Sequence, residues 1–232
     1  MNLKGTLIDT WITGKSSSKV FLTYILVVMG IYATGIVISA LVYPGGFSML
    51  DVYVSYLGSD DDNPPGHVIY NICTLMSGLL LIPLFPRMYR KFQPSVKWLN
   101  VMASLFGIMG CISFASLGIF FQGLDPTGHQ WATILTFAGF GANAILSLPV
   151  IIRKNFITRR EPSLKQWPRW YHVLPMYAIT FGILGLTALA DGLPEWFAWM
   201  DIDPRFFDDK FLEWIYVFGI ISWIVGVAIL VM

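Results

Sequence analysis

Charge is what this chain has least of. Asp, Glu, Lys and Arg make up 12% of its 232 residues, about half the share of an ordinary soluble domain. The net charge of +1 excludes a strongly basic nucleic-acid binder, so no nucleic-acid partner is expected. Cysteine is scarce too. Cys73 and Cys111 are the only two, and both fall inside apolar stretches, where they read as small buried hydrophobes more readily than as a disulfide. Three histidines are present without an HxxxH or HExxH spacing, and there is no CxxC, so no ready-made zinc motif exists. P-loop and dinucleotide fingerprints are missing, as is a Gly-x-Ser-x-Gly elbow near Ser55 and Ser59, which removes nucleotide chemistry and an elbow serine from the first rank of readings. No apolar stretch has the central lysine that a retinal protein requires.

What fills the space is hydrocarbon: 56% of the residues are hydrophobic and 16% are aromatic, enough for aromatic belts at both faces of a bilayer. Six apolar runs are long enough, at 1.5 Å per residue, to cross a core of about 30 Å. They are Val20 to Tyr43, His67 to Phe85, Trp98 to Phe121, about His129 to Ile152, about Tyr171 to Ala190, and Phe211 to Met232. Pro44-Gly-Gly46 stops the first and Pro86 the second, while Pro83 should only bend the last turn. Gly107, Gly110, Ser113 and Ser116 offer the third a small-residue face for close packing. The fold class expected is therefore all-α, a polytopic six-helix membrane bundle in one domain, residues 20–232, after a short tail, residues 1–19. No cleavable signal peptide is expected, because the first apolar run begins near Val20 and is too long for an h-region.

Charge sorts by loop. The tail and the loops after spans two and four carry 13 of the 15 basic residues, among them Arg87, Arg90, Lys91, Arg153, Lys154, Arg159 and Arg160. By the positive-inside rule both termini are cytoplasmic. Of the 14 acids, 12 lie on the opposite side, in agreement with six crossings.

The stretch from Leu57 to Thr74 joins three acids, Asp60, Asp61 and Asp62, and a Pro-Pro turn to the mouth of span two. There His67, Asn71 and Thr74 recur at i, i+4 and i+7, on one helix face. Other outer mouths are also polar: His129 with Thr133, Thr136 and Asn143; Tyr177, Thr180, Thr187 and Asp191; Glu213 with Tyr216. Stripes of this kind inside hydrocarbon need protein or water to face. If they converge, they line an outward cleft suited to a lipid headgroup above apolar tails. The plainer alternative is helix-to-helix hydrogen bonding and helix capping. A divalent metal held by His67, His129 and Glu213 is the sharper alternative; otherwise no cofactor is expected. The Asp60 to Asp62 run lacks the ligand alternation of a calcium loop and reads as a solvated turn.

Three passages also carry a resemblance. Val54-Ser-Tyr-Leu-Gly-Ser-Asp-Asp-Asp-Asn-Pro-Pro-Gly-His-Val-Ile-Tyr-Asn71 resembles the first-loop signature of the six-span Frag/DRAM/Sfk superfamily and its prokaryotic relatives of unknown function. Gly118-Ile-Phe-Phe-Gln122 followed by His129 is similar to its Phe-Gln then His pattern, and Glu213-Trp214 to its Glu-Trp pair. Relatives commonly carry Ser-Asp where Ser55-Tyr56 stands and Pro-Pro-Glu where Pro64-Pro65-Gly66 stands, so two carboxylates of the pattern are missing here. The resemblance implies lipid handling, since members are associated with remodelling of GPI anchors, phosphoinositide and transbilayer lipid homeostasis, and autophagy. It selects Gly58, Pro64, Asn71, Gln122, His129, Glu213 and Trp214.

Together these readings predict a membrane protein whose outer cleft binds or handles a lipid, with the plasma membrane as the expected location. The ligand contacts would be His67, Asn71, Gln122, His129, Glu213 and Trp214, and the rim Asp60, Asp61, Asp62 and Asp191. Two rivals stand beside this: an intramembrane hydrolase or transferase using the same groups as acid and base or with a metal, and a structural or regulatory subunit. The latter would dock a protein partner on its cytoplasmic basic loops or on the aromatic loop Trp196 to Phe207.

Overall fold

A computed structural model describes residues 17–93, 96–160 and 204–231. The expected fifth span, His172, Asp191 and most of the aromatic loop before Phe207 lie outside the described residues. Among the described residues all regular structure is helical. The helices are α1 (Ser18–Leu41), α2 (His67–Leu81), α3 (Leu84–Lys91), α4 (Lys97–Leu117), α5 (Pro126–Arg160) and α6 (Asp209–Leu230), with 3-10 turns at Ser55–Gly58 and Pro204–Phe207. With α2 and α3 taken as one segment, five are long and apolar enough to cross a membrane.

Local chemistry sets their ends. Ser17 accepts the Val20 N–H to open α1, and Gly45 and Gly46, at φ 78° and 93°, take the chain out of it, a conformation glycine adopts without a Cβ penalty. Asp125 accepts the Gly128 N–H at 2.9 Å with Pro126 in the first position of α5, a favoured N-terminal pairing. Asp208 accepts the Lys210 N–H at 3.0 Å to begin α6.

Span two departs from expectation. The helix breaks at Ile82 and Pro83, then resumes as α3 and runs through Pro86 to Lys91. Pro86 falls in the first turn of the new helix, where the missing N–H would have had no partner in any case. One consequence is that Arg87, expected in a basic loop, is fully buried. Its guanidinium stacks 4.3 Å from the centroid of Phe21, and Nε donates to the Val231 carbonyl at 3.2 Å. Val231 caps the C-terminus of α6, the end of a helix whose carbonyls attract a cation. Span four also runs on well past Ile152, to Arg160.

The polarity of the bundle is inverted relative to a soluble protein. Val27, Val37, Leu79, Leu105, Ile112, Leu135 and Ile145 are exposed on the outside, whereas Asn71, Asn100, Ser104, Ser113, Thr136, Asn143 and Ser147 are buried. A surface of that kind is stable against hydrocarbon, and buried polar groups then act as glue. Asn143 shows how: it donates to the Ala103 carbonyl at 2.7 Å and accepts the Trp223 indole N–H at 2.8 Å, tying α4, α5 and α6 together. Backbone proximity comes from glycine. A Cβ on Gly139 would sit 2.6 Å from the backbone of Gly110, so α4 and α5 touch main chain to main chain there.

Candidate functional site

The end of the bundle that holds residues 42–66 is closed by that segment folding back on the helices; it is called the loop end here, and the end near Arg87 and Lys154 the basic end. Asn63 donates to the carbonyls of Ser39 and Leu57 at 3.2 and 3.0 Å. Ser39 donates to the Gly66 carbonyl at 2.8 Å, and Asn71 to the Gly58 carbonyl at 2.9 Å. From the other side, the Trp214 indole donates to the Val52 carbonyl at 2.8 Å. These bonds fix the 3-10 turn over the start of α6. Its unpaired N-terminal N–H groups then meet a carboxylate: Val54 N–H donates to Glu213 Oε2 at 3.0 Å, and Ser55 offers both its N–H and its hydroxyl.

Beneath that turn lies a cavity between α1, α2, α4, α5 and α6. Its mouth carries Ser55, Asn71, His129, Thr133 and Glu213; its depth is lined by Met29, Leu81, Phe140, Val217, Ile221 and Ile224, with the Tyr32 and Tyr70 hydroxyls 3.4 Å apart on one wall. A wider vestibule shares His129, Thr133, Ser55 and Glu213 with it and adds Tyr53, Tyr56, Gln122 and Gln130. The cavity volume is about 530 Å³ in the vestibule and about 50 Å³ in the inner part, called the bore here. From Glu213 to Ile224, and equally from His129 to Phe140, the helical rise separates the lining residues by roughly 16 Å.

His129 and Glu213 share these walls, yet no direct bond joins them among the described residues. His129 Nδ1 lies 2.9 Å from the Phe120 carbonyl, and Glu213 is held by the turn. Both line the vestibule and the inner cavity. Gln122 and Asn71 also reach the cavities. Asn71 Oδ1 is buried without a hydrogen-bond partner.

Other expected contacts fall elsewhere. His67 lines neither cavity; Nδ1 turns back to the Pro64 carbonyl at 3.0 Å and the ring lies 5.9 Å from Phe121. Trp214 is fully buried against Phe47, ring centroids 5.4 Å apart, where it holds the loop and touches no cavity. Of the rim, Asp60 packs on Gly123, and the Asp62 N–H bonds to Ser59 Oγ; none of Asp60, Asp61 and Asp62 lines either cavity. Asp191 lies outside the described residues. Among the described residues no three metal-ligating side chains converge, and His67 stands apart from the cavity that His129 and Glu213 share. Tyr216, expected on the Glu213 stripe, donates to the Phe137 carbonyl at 3.1 Å.

Three contributors have no place in the sequence reading: Tyr32, Tyr70 and the Val54-Ser55 backbone. Tyr32 did leave a signal, since a phenol sits in the middle of an otherwise apolar span. At the vestibule, partial burial foremost, then the nearby Asp209 and Asp208, push the Tyr53 phenol above its usual range, so it remains a neutral hydrogen-bonding group at physiological pH.

Comparison with known proteins adds no neighbour. Neither a family model, nor a curated protein, nor a solved structure matches this chain. The site therefore rests on its own geometry.

Proposed function

We propose that this chain is a multi-pass membrane protein that holds a lipid in a cleft opening at the loop end, which the positive-inside rule makes the non-cytoplasmic side. The observation that carries the reading is the gradient along two cavities that share Ser55, His129, Thr133 and Glu213. Hydrogen-bonding groups and a carboxylate stand at the mouth, and aliphatic and aromatic side chains line a bore that reaches about halfway through a core of about 30 Å. A lipid has the same gradient, headgroup to tail, over the same depth. The wider vestibule would take the headgroup and the apolar bore a tail. The resemblance to the Frag/DRAM/Sfk superfamily supports lipid homeostasis or remodelling as the setting, and the plasma membrane as the place.

Native mass spectrometry of the detergent-purified full chain tests this. A bound lipid of defined mass is expected on the wild type and its loss on Ile221→Trp, which fills the bore with a larger ring, while the variant stays monodisperse. Equal lipid on both proteins would show that the adduct sits elsewhere.

A second reading has one observation in its favour. His129 and Glu213 face a common space without touching, as a general acid and base flanking a scissile bond would. In that case His129→Ala would abolish turnover of a bound ester or phosphodiester lipid while retaining the lipid itself.

A further inference from the structure

The cleft proposed above as a lipid site has a carboxylate but no lysine or arginine among its described lining residues. Glu213 is the one formally charged side chain lining either cavity among the described residues. No lysine, arginine or histidine nitrogen lies within 4 Å of its carboxylate there; its partners are N–H and O–H dipoles of Val54 and Ser55. The inner cavity that Glu213 shares is also lined by Phe114, Phe121 and Phe137. The two described cations of this end are engaged at the rim. Arg205 pairs with Asp51 at 3.2 Å, and Lys210 sits 6.0 Å from the Tyr53 ring centroid in a helix start that also holds Asp208 and Asp209.

Resting on that reading, we infer that the cleft selects an amphiphile with an ammonium headgroup over one with a phosphate or carboxylate. A phosphate in this mouth would meet a carboxylate with no lysine or arginine among the described lining residues to neutralise it, which is repulsive in a medium that screens poorly. An ammonium has three donors and one charge. Glu213 takes the charge, and the aromatic rings of the lining supply cation–π attraction, which strengthens as the cation is desolvated. The ligand thus also supplies what the carboxylate lacks, a counter-ion inside the membrane, where an unpaired charge is costly.

The experiment is a competition among dodecylamine, dodecanol and dodecyl phosphate, equimolar, on the full chain in an uncharged sugar detergent, read by native mass spectrometry. Dodecylamine is expected to bind on the order of tenfold more than dodecyl phosphate, with dodecanol between them, since one carboxylate at partial burial contributes about that factor. In Glu213→Gln the amine's advantage over dodecanol should fall to about twofold or less. Dodecyl phosphate binding as well as the amine would overturn the inference and leave the lipid reading standing. Failure of all three to bind would overturn both. The wild-type ranking needs no variant, so it decides even where Glu213→Gln does not fold.

Discussion

The two ends of the bundle use similar residues to opposite ends. Toward the basic end, buried polar side chains bond to neighbouring segments: Asn143 with Trp223 and Ala103, Arg87 with Val231, Asn100 with the Tyr89 carbonyl, and Lys154 with the Gln93 carbonyl. Toward the loop end, Glu213, His129, Asn71, Tyr32 and Tyr70 border a void. Polar residues in a membrane helix thus do two jobs, and the sequence marks both in the same way. What separates them is whether a partner helix comes close enough to fill the space. Gly107 lets α4 approach the Phe85 ring of α3, and Gly110 and Gly139, at each other's backbone, bring α4 and α5 together near the middle of the bundle. Near the mouth Phe114, Phe121 and Phe137 line the cavity instead.

Substitutions along one face of α5 sharpen this contrast. Asn143→Leu should cost the most, about 2–3 kcal/mol, because it strands the buried Trp223 N–H and the Ala103 carbonyl in a packed region. Thermal unfolding in detergent would show it as a clear fall in midpoint, and a neutral result would mean that the basic end is looser than described. Thr136 lies seven residues nearer the mouth on the same face, and its hydroxyl bonds only to the Ala132 carbonyl one turn back in its own helix, at 2.7 Å. Thr136→Val keeps the shape and should change stability by less than about 0.5 kcal/mol. A large loss in the same assay would mean that the cavity wall is part of the structural core.

The smallest effect is expected outside the membrane. Asp51 is held below the usual carboxylate range first by Ser48 and then by Arg205. Its folded-state value being depressed, the contribution is present at neutral pH and is lost as pH falls through the acid range. Both partners of the ion pair are about half exposed, so Asp51→Asn should leave unfolding at pH 7 unchanged within error and should abolish any salt dependence of that contact. A measurable shift would make the Pro204–Phe207 turn a fastening of the cleft.

Much of the fold was legible in the string because the bilayer demands long apolar runs, and the described spans lie where the runs do. Pro86 misled because a proline in the first turn of a helix and a proline that stops one look alike without the backbone. The site was legible only in part. Glu213 stood out as an ionisable group within a span. Its neighbour Trp214 points about 100° away around the helix, so a pair adjacent in sequence serves two purposes, one facing the cavity and one gripping the loop. His67 sits in the first turn of α2, where the ring folds back on Pro64 and leaves the stripe that Asn71 continues. The contribution of Val54 and Ser55 is main-chain hydrogen bonding, which side-chain identity does not report.

The account stands or falls on what occupies the bore. Electron cryomicroscopy of the full chain in lipid nanodiscs should show continuous tubular density entering between His129 and Glu213 and ending near Ile224 and Phe140. Side chains closing that path, with ordered lipid only on the outer surface of the helices, would contradict it.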